Sequence, residues 1–320
     1  MRFLLLPFAI LYGLGVRLRH FLYDRGWLSS KHYPFPILCV GNLAVGGTGK
    51  TPMVEYLVRL LGQEQVAILS RGYRRKTRGF FLADDSATAM TLGDEPYQYH
   101  RKFPRATVAV CENRQEGIER LLENPHFKYI ILDDAFQHRK VQAGTNLLLT
   151  SYDKLYTQDF LLPVGSLRDI RSRARKAQII IVTKCPELTQ AEQEKIIQQL
   201  KPLPSQKVYF TSIAYSDRVY SHEDSQALKD FITTPFTLVT GIANPTPLVD
   251  FLEKQGASFE HLAYSDHHHF SNRELEFLRQ KGRILTTEKD YVRLEGALPT
   301  LYYLPIETQF LNDQRLIFND

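Results

Sequence analysis

A glycine-rich turn between a short apolar segment and the pair Lys50-Thr51 carries the clearest chemical signal in this sequence. Glycine lets the backbone approach a polyphosphate closely, and the N–H groups of such a loop, at the start of a helix, bind anions. In this pattern the lysine reaches the β- and γ-phosphates of a nucleotide, and the threonine hydroxyl ligates Mg²⁺. We therefore predict a P-loop after the apolar segment 37–40. Its predicted nucleotide-binding residues are Gly46, Gly47, Thr48, Gly49, Lys50 and Thr51.

The motif departs from the strict pattern at one position, where Ala44 replaces glycine. Alanine is the next smallest residue, so we interpret the segment as a relaxed P-loop. The alternative is a glycine-rich turn from strand to helix that binds no ligand.

Two adjacent carboxylates, Asp133 and Asp134, follow a second apolar segment at 129–132. A carboxylate at the end of a strand beside the P-loop strand can hold Mg²⁺, so we predict a metal site from Thr51, Asp133 and Asp134. The alternative is that the two acids open a turn. The following segment 137–139, which contains His138, could reach the same site.

Two details argue against a guanine-nucleotide switch. The segment Thr183-Lys184 resembles a guanine-specificity element, but Pro186 stands where that element needs aspartate. Phe136 stands where the switch element Asp-x-x-Gly needs glycine.

Other polar clusters flank predicted elements. Asp94 and Glu95 lie at a loop-to-helix junction, where they cap the helix or present a carboxylate to the active edge. Arg168 and Asp169 precede a basic run, and Arg71 follows the second strand. These basic clusters either meet phosphates or form solvated faces.

The segment Asp266-His267-His268-His269 invites a metal interpretation. Adjacent histidines point apart on most backbones, so a zinc site is disfavoured. An acid–histidine pair that assists proton transfer suits the segment better.

The elements that must position these residues alternate between strand and helix. This alternation predicts an α/β fold with a mostly parallel sheet covered by helices on both faces, which binds ligands at the carboxyl ends of its strands. The polar stretch 213–232 predicts a connection to a smaller α/β domain. The predicted parts are an N-terminal helix (1–30), a P-loop domain (31–215), a second domain (220–305) and a C-terminal tail (306–320). Strands are predicted near 37–40, 66–70, 107–111, 129–132, 146–150, 179–183, 208–212, 236–240, 283–286 and 301–304, and helices near 51–61, 94–102, 114–123, 189–200, 245–255 and 272–281.

Composition bounds the partners and the compartment. The chain has 320 residues and a formal charge of +5, which suits a phosphorylated substrate or an anionic membrane but is too weak to indicate nucleic acid. The three cysteines are far apart and form no CxxC pair, so the pattern favours a reducing cytosol over disulfides or a zinc knuckle.

The N-terminus has an uncharged, largely apolar run at 3–16, followed by Arg17 and Arg19. The run is shorter than the about 20 residues of a membrane span. A signal peptide fits its length, but the P-loop that follows needs cytosolic nucleotide. We therefore favour an interfacial helix, with a helix packed on the protein's own core as the alternative.

Taken together, the motifs resemble the tetraacyldisaccharide 4'-kinases, the lipid A kinase family. The resemblance covers nearly the whole chain. It rests on Gly41-Asn42, Gly46-Gly47-Thr48-Gly49-Lys50-Thr51-Pro52, Ser70-Arg71-Gly72-Tyr73, Gly93-Asp94-Glu95-Pro96, Asp133-Asp134-Ala135-Phe136-Gln137-His138-Arg139, Leu162-Pro163 to Leu167-Arg168, Gly241-Ile242-Ala243-Asn244-Pro245, Asp266-His267 and Thr287-Glu288-Lys289-Asp290.

The resemblance implies transfer of the γ-phosphate of ATP to the 4'-hydroxyl of a tetraacylated disaccharide 1-phosphate. The product would be lipid IVA, made by a peripheral enzyme at the cytoplasmic face of the inner membrane. It also implies roles for single residues. In catalysis, Lys50 would take part, Asp94 would be the base, and His267 would support Asp94. The metal would be held by Thr51, Asp133 and Asp134. The residues at the substrate would be Arg71, His138, Arg168 and Asp169.

Two positions depart from the family pattern. Asp169 replaces the glutamate that commonly follows Leu-Arg, and Gln178 replaces an aspartate. Two rival functions stay open on the residues alone, a switch ATPase and a non-enzymatic nucleotide-binding peripheral membrane protein.

Overall fold

The computed structural model describes residues 2–266 and 268–318 and contains two large sheets. Its strands are β1 (Lys31–His32), β2 (Ile37–Asn42), β3 (Val66–Ser70), β4 (Phe81–Leu82), β5 (Thr107–Val110), β6 (Tyr129–Asp133), β7 (Val141–Gln142), β8 (Thr145–Ser151), β9 (Ile179–Thr183), β10 (Lys207–Tyr215), β11 (Arg218–Tyr220), β12 (Ser225–Ala227), β13 (Phe236–Thr240), β14 (Phe259–Ala263), β15 (Ile284–Thr287), β16 (Leu301–Leu304) and β17 (Ile306–Phe310).

The helices connect these strands. They are α1 (Leu6–Asp24), α2 (Lys50–Leu61), α3 (Ala89–Leu92), α4 (Asp94–Lys102), α5 (Arg114–Leu122), α6 (Gln190–Leu200), α7 (Leu228–Phe231), α8 (Thr246–Lys254), α9 (Asn272–Arg279) and α10 (Glu288–Leu294), with short 3₁₀ segments at Arg2–Leu5, Gln63–Gln65, Arg171–Lys176 and Leu311–Asp313.

The first large sheet has the order β17-β10-β9-β8-β2-β6-β3-β5-β4. Only its two edge pairs, β17 with β10 and β4 with β5, are antiparallel. Because β2 and β6 are parallel neighbours in register, with Val40 opposite Asp133, the P-loop and the two carboxylates leave the sheet at the same edge.

Both faces of this sheet are buried. Along β2, Ile37 and Cys39 belong to one apolar core, and Leu38 and Val40 belong to the other, as the alternation of side chains requires. Helix α2 packs into the second core and helix α5 into the first. The predicted parallel sheet with helices on both faces is therefore confirmed.

The second sheet has the order β12-β11-β16-β15-β13-β14, and four of its six strands, β16, β15, β13 and β14, are parallel. The sequence analysis did not predict β14, and it left 218–227 as a connection although β11 and β12 form there. The predicted C-terminal tail also needs a correction. Residues Ile306–Phe310 form β17, which returns to the first sheet and pairs with β10.

The first sheet with its helices is called the first unit below, and the second sheet with its helices the second unit. Helix α1 packs on the first unit through a narrow face. Its buried residues are Ala9, Gly13 and His20, whereas Phe8, Leu11 and Leu18 are each more than half exposed. No helix within the described residues is long and apolar enough to cross a membrane.

Candidate active site

The P-loop has a preformed backbone. Gly46 and Gly49 have φ values of +105° and +79°, a region that residues with a Cβ rarely adopt, and Gly49 directly precedes the first residue of α2. The amide of Asn42 donates to Thr48 Oγ1 at 2.7 Å, and Thr183 Oγ1 donates to the Thr48 carbonyl oxygen at 3.0 Å. The loop is therefore held from the ends of β2 and β9.

Three charged side chains meet at the mouth of this loop. Lys50 Nζ lies 3.8 Å from Asp134 Oδ1, and the Arg168 guanidinium bonds to the same carboxylate and donates to Asn42 Oδ1 at 2.6 Å. Burial by itself would raise the pKa of Asp134, but Lys50 and Arg168 lower it. Asp134 is therefore ionised, and it holds two cations at the mouth of the P-loop.

Asp133 is buried at the end of β6 and is only partly satisfied. Its Oδ2 accepts a hydrogen bond from Ser70 Oγ at 3.2 Å, and its Oδ1 has no partner among the described residues. Burial, and then the charges of Glu95 and Asp134, raise the pKa of Asp133 to about 7. A buried carboxylate oxygen without a protein partner, beside other acids, is suited to coordinate a cation.

The oxygens around Asp133 fit Mg²⁺. Thr51 Oγ1 donates to Glu95 Oε1 at 3.3 Å, which places a hydroxyl and a further carboxylate at the start of α2. Among the described side chains no group of three or more His, Cys, Asp or Glu is arranged to hold a metal. A magnesium ion here would therefore depend on one or two carboxylates plus phosphate oxygens, which is the usual arrangement for this ion.

Asp94 faces the second unit of the molecule. It is the first residue of α4, and the N-cap position belongs to Gly93, with φ +90°. The Asp94 carboxylate forms an ion pair with Arg293 of α10, with 3.7 Å between Oδ2 and Nε. Arg293 also pairs with Asp290, and its Nη1 donates to the carbonyl oxygen of His268 at 3.2 Å. The predicted partner of Asp94, His267, lies outside the described residues.

A second cationic cluster lies beside the carboxylates. Burial, and then the charges of Arg114 and Arg71, lower the pKa of His138 to about 4, so its imidazole is neutral at physiological pH. Burial also lowers the pKa of Arg114 to about 10. A neutral imidazole next to two guanidinium groups can bind an anionic group without needing a proton.

Asp169 does not lie with the other predicted substrate residues. Its side chain is 1% exposed, and its Oδ1 lies 2.6 Å from Nε2 of His20 in α1. The same oxygen accepts a hydrogen bond from the Ile170 N–H at 2.8 Å. This placement suits a structural role, in which Asp169 holds α1 through His20, better than direct contact with a substrate.

The sequence analysis assigned no site role to several residues that the structure brings to this edge. Asn42, Ser70 and Thr183 are the last residues of β2, β3 and β9. Their positions at strand ends were a usable signal, because ligands of such sheets bind there. Arg293 comes from a helix of the second unit, so nothing local in the sequence linked it to Asp94.

Comparisons with known proteins agree over the whole chain. A family model described as tetraacyldisaccharide-1-P 4'-kinase matches residues 1–318. A tetraacyldisaccharide 4'-kinase from Flavobacterium johnsoniae is 48% identical over 323 residues, covering 98% of this chain and 94% of the relative. One from Bacteroides thetaiotaomicron is 42% identical over 344 residues, covering 98% and 90%.

A solved structure extends the similarity to three dimensions. It is the crystal structure of LpxK from Aquifex aeolicus described as an "apo" form in complex with ATP, with a TM-score of 0.81 and 30% identity over 98% of this chain and 96% of that one. These matches confirm the predicted fold and the kinase class. The chain belongs to the tetraacyldisaccharide-1-P 4'-kinase family.

Proposed function

We propose that this chain transfers the γ-phosphate of ATP to the 4'-hydroxyl of tetraacyldisaccharide 1-phosphate, giving lipid IVA in lipid A biosynthesis. The observation that carries the proposal is the cluster of Lys50, Asp134 and Arg168 at the mouth of a preformed P-loop. Phosphoryl transfer needs positioning and charge neutralisation above all, and this cluster supplies both.

The P-loop residues from Gly46 to Thr51 would bind the β- and γ-phosphates through backbone N–H groups and the Lys50 ammonium. Thr51, Asp133 and Asp134 would hold Mg²⁺, which supplies charge neutralisation for the transferring phosphoryl group. Arg168, Arg71 and the neutral His138 would contact anionic groups of the nucleotide or the lipid.

Asp94 would take the proton from the acceptor hydroxyl, supported by His267. Its contact with Arg293 fixes the carboxylate between the two units. Because Arg293 also holds the carbonyl of His268, it connects Asp94 to the segment that carries His267. Proton removal would then depend on the position of the second unit relative to Asp94.

The lipid substrate places the reaction at a membrane, and we propose the cytoplasmic face of the bacterial inner membrane. Acyl chains leave a bilayer at a cost of about 0.8 kcal/mol per CH₂, so the enzyme must come to the surface. The exposed apolar side of α1, with Phe8, Leu11 and Leu18, is suited to the interface, and Arg17 lies within the same helix.

Transfer of labelled γ-phosphate from ATP into a lipid fraction tests the activity. Lys50→Ala should lower this transfer by about 10³-fold, because it removes a cation that the transition state needs. The exposed Lys195→Ala, which changes net charge equally, is the control. Near-normal transfer by Lys50→Ala at saturating ATP would contradict the P-loop assignment, and ATP consumption independent of lipid would favour a switch ATPase.

Cosedimentation with anionic vesicles tests the membrane surface. Leu11→Ser should weaken vesicle binding about tenfold, because a leucine side chain gains about 1.5 kcal/mol on burial. Ile317→Ser is the matched control, since Ile317 is 65% exposed and Leu11 is 66% exposed. If the two substitutions weakened vesicle binding equally, α1 would not be the lipid-binding surface.

A further inference from the structure

Helix α1 does more than present an apolar side to solvent, because its opposite face docks on the segment 159–170. The helix passes close to this segment at Gly13, where an added Cβ would lie 2.8 Å from Leu161 Cδ1. Ala9 and His20 are buried on the same helix. The helix therefore has one face available to lipid and one face fixed to a segment that contains Arg168 and Asp169.

Two polar contacts from this docked face reach consecutive residues. The Tyr12 hydroxyl donates to the carbonyl oxygen of Arg168 at 2.8 Å. His20 Nε2 lies 2.6 Å from Asp169 Oδ1. Both contacts join α1 to residues more than a hundred positions away, so the segment around Arg168 is held by the helix as well as by its own turn.

The direction of the histidine contact follows from its other neighbour. Arg139 Nη1 lies 3.2 Å from His20 Nδ1 and donates to the His20 carbonyl oxygen at 2.9 Å. A guanidinium has no acceptor, so Nδ1 must be the acceptor of that contact and the proton belongs on Nε2. His20 therefore donates to Asp169 and orients a carboxylate whose other oxygen has no partner among the described residues.

The segment held in this way carries a side chain of the candidate site. The Arg168 N–H donates to the Leu43 carbonyl oxygen at 2.8 Å, and its guanidinium binds Asp134 and Asn42. Arg168 is thus fixed between the end of the P-loop strand on one side and α1 on the other.

We propose that Tyr12 and His20 are positioning residues for Arg168, so that docking of α1 is required for efficient phosphoryl transfer separately from its role at the membrane. The inference rests on the proposed function, in which Arg168 contacts phosphate groups. If the inference is correct, disturbing the docking of α1 lowers turnover even when the lipid is dissolved in detergent micelles and no bilayer is present.

The first measurement is steady-state transfer to micellar lipid. Tyr12→Phe removes only the hydroxyl, and we expect kcat to fall about fivefold, the value of a typical hydrogen bond, with unchanged vesicle binding and unchanged melting temperature. Tyr23→Phe is the matched control in the same helix, since the Tyr23 ring packs against Arg19 and Arg139. His20→Leu should also lower kcat, and His20→Gln, which keeps a donor, should restore most of it.

A double-mutant cycle separates positioning from general stability. If Tyr12 acts through Arg168, Tyr12→Phe should have little further effect in an Arg168→Ala background. Fully multiplicative losses, or a normal kcat for Tyr12→Phe, would overturn the inference. A wild-type protein that phosphorylates no lipid would instead contradict the proposed function.

Hydrogen exchange measured by mass spectrometry gives a readout that needs no activity. We expect Tyr12→Phe and His20→Leu to speed exchange in peptides covering 159–170, and Tyr23→Phe to leave them unchanged. Unchanged exchange in both Tyr12→Phe and His20→Leu would overturn the inference whatever the substrate is.

Discussion

Two regions of this molecule bury carboxylates, and they neutralise them in different ways. At the strand ends of the first sheet, Asp133 keeps one oxygen without a partner among the described residues. Where α2, α4 and α10 meet, Glu55 and Glu288 share Lys102, whose Nζ lies 2.7 Å from each carboxylate. The first region leaves a charge to be supplied by a ligand, and the second supplies its own cation.

Each region contains a carboxyl group with a raised pKa, and the two regions differ in the partner that the protein gives it. Burial raises the pKa of Asp133 to about 7, and burial followed by Glu55 raises the pKa of Glu288 to about 7. Burial by itself would lower the pKa of Lys102, but Glu55 and Glu288 raise it, so the lysine stays charged. A buried carboxylate therefore marks a ligand site only when the protein does not provide the counter-charge.

The largest effect should come from Asp94, the first residue of α4, which pairs with Arg293 of α10. Asp94→Asn keeps the shape and removes the basicity, so kcat should fall by about 10² to 10⁴, with little change in ATP affinity. Steady-state kinetics at saturating lipid, with ATP binding measured separately, check both parts.

Asp85→Asn, an exposed change of the same kind, is the control for the loss of a carboxylate. A normal rate for Asp94→Asn would remove this residue as the base. A rate loss accompanied by an equal loss of ATP affinity would make Asp94 a nucleotide-binding residue instead.

The contrast also explains what could be predicted from the sequence. The sequence predicted that Lys50, Asp133 and Asp134 lie at one edge of the sheet, because the P-loop and the two acids come after apolar strands and parallel strands bring their ends together. The ion pairs of Lys102 with Glu55 and Glu288 join three helices that are far apart in the sequence, so no local pattern specified them. Asp169 was placed at the substrate by resemblance, but its burial depends on the docking of α1, which is a property of packing.

A smaller effect, on stability instead of chemistry, should follow from removing the internal cation. Lys102→Met removes the cation that two buried carboxylates share, so the free energy of unfolding should fall by about 3 kcal/mol. Urea denaturation measures the change.

Lys195→Met is the control, because Lys195 is exposed on α6 and its replacement should change stability by less than about 0.5 kcal/mol. The comparison between the regions fails if Lys102→Met unfolds like the wild-type protein. It also fails if Lys102→Met lowers kcat as severely as Lys50→Ala at a temperature where both are folded.

The smallest expected effect concerns pH and Mg²⁺. In the folded protein without metal, Asp133 keeps its proton up to about pH 7, whereas an aspartate in the unfolded chain loses its proton at about pH 3.9. Stability from this proton is present below about pH 4 and is lost as pH rises towards 7. Because Mg²⁺ needs the ionised carboxylate, its stabilising effect should grow with pH, and the Mg²⁺-dependent rise in melting temperature should be about 2–4 °C larger at pH 8 than at pH 6.

The two raised carboxyl groups distinguish the source of this dependence. Asp133→Asn should abolish the difference between pH 6 and pH 8, because no proton then competes with the metal. Glu288→Gln should retain it, because the partner of Glu288 is Lys102, which is part of the protein. If Glu288→Gln removed the pH dependence and Asp133→Asn kept it, Mg²⁺ would act at the helix interface around Lys102 and not at the strand ends around Asp133. The proposed difference between the two regions would then be wrong.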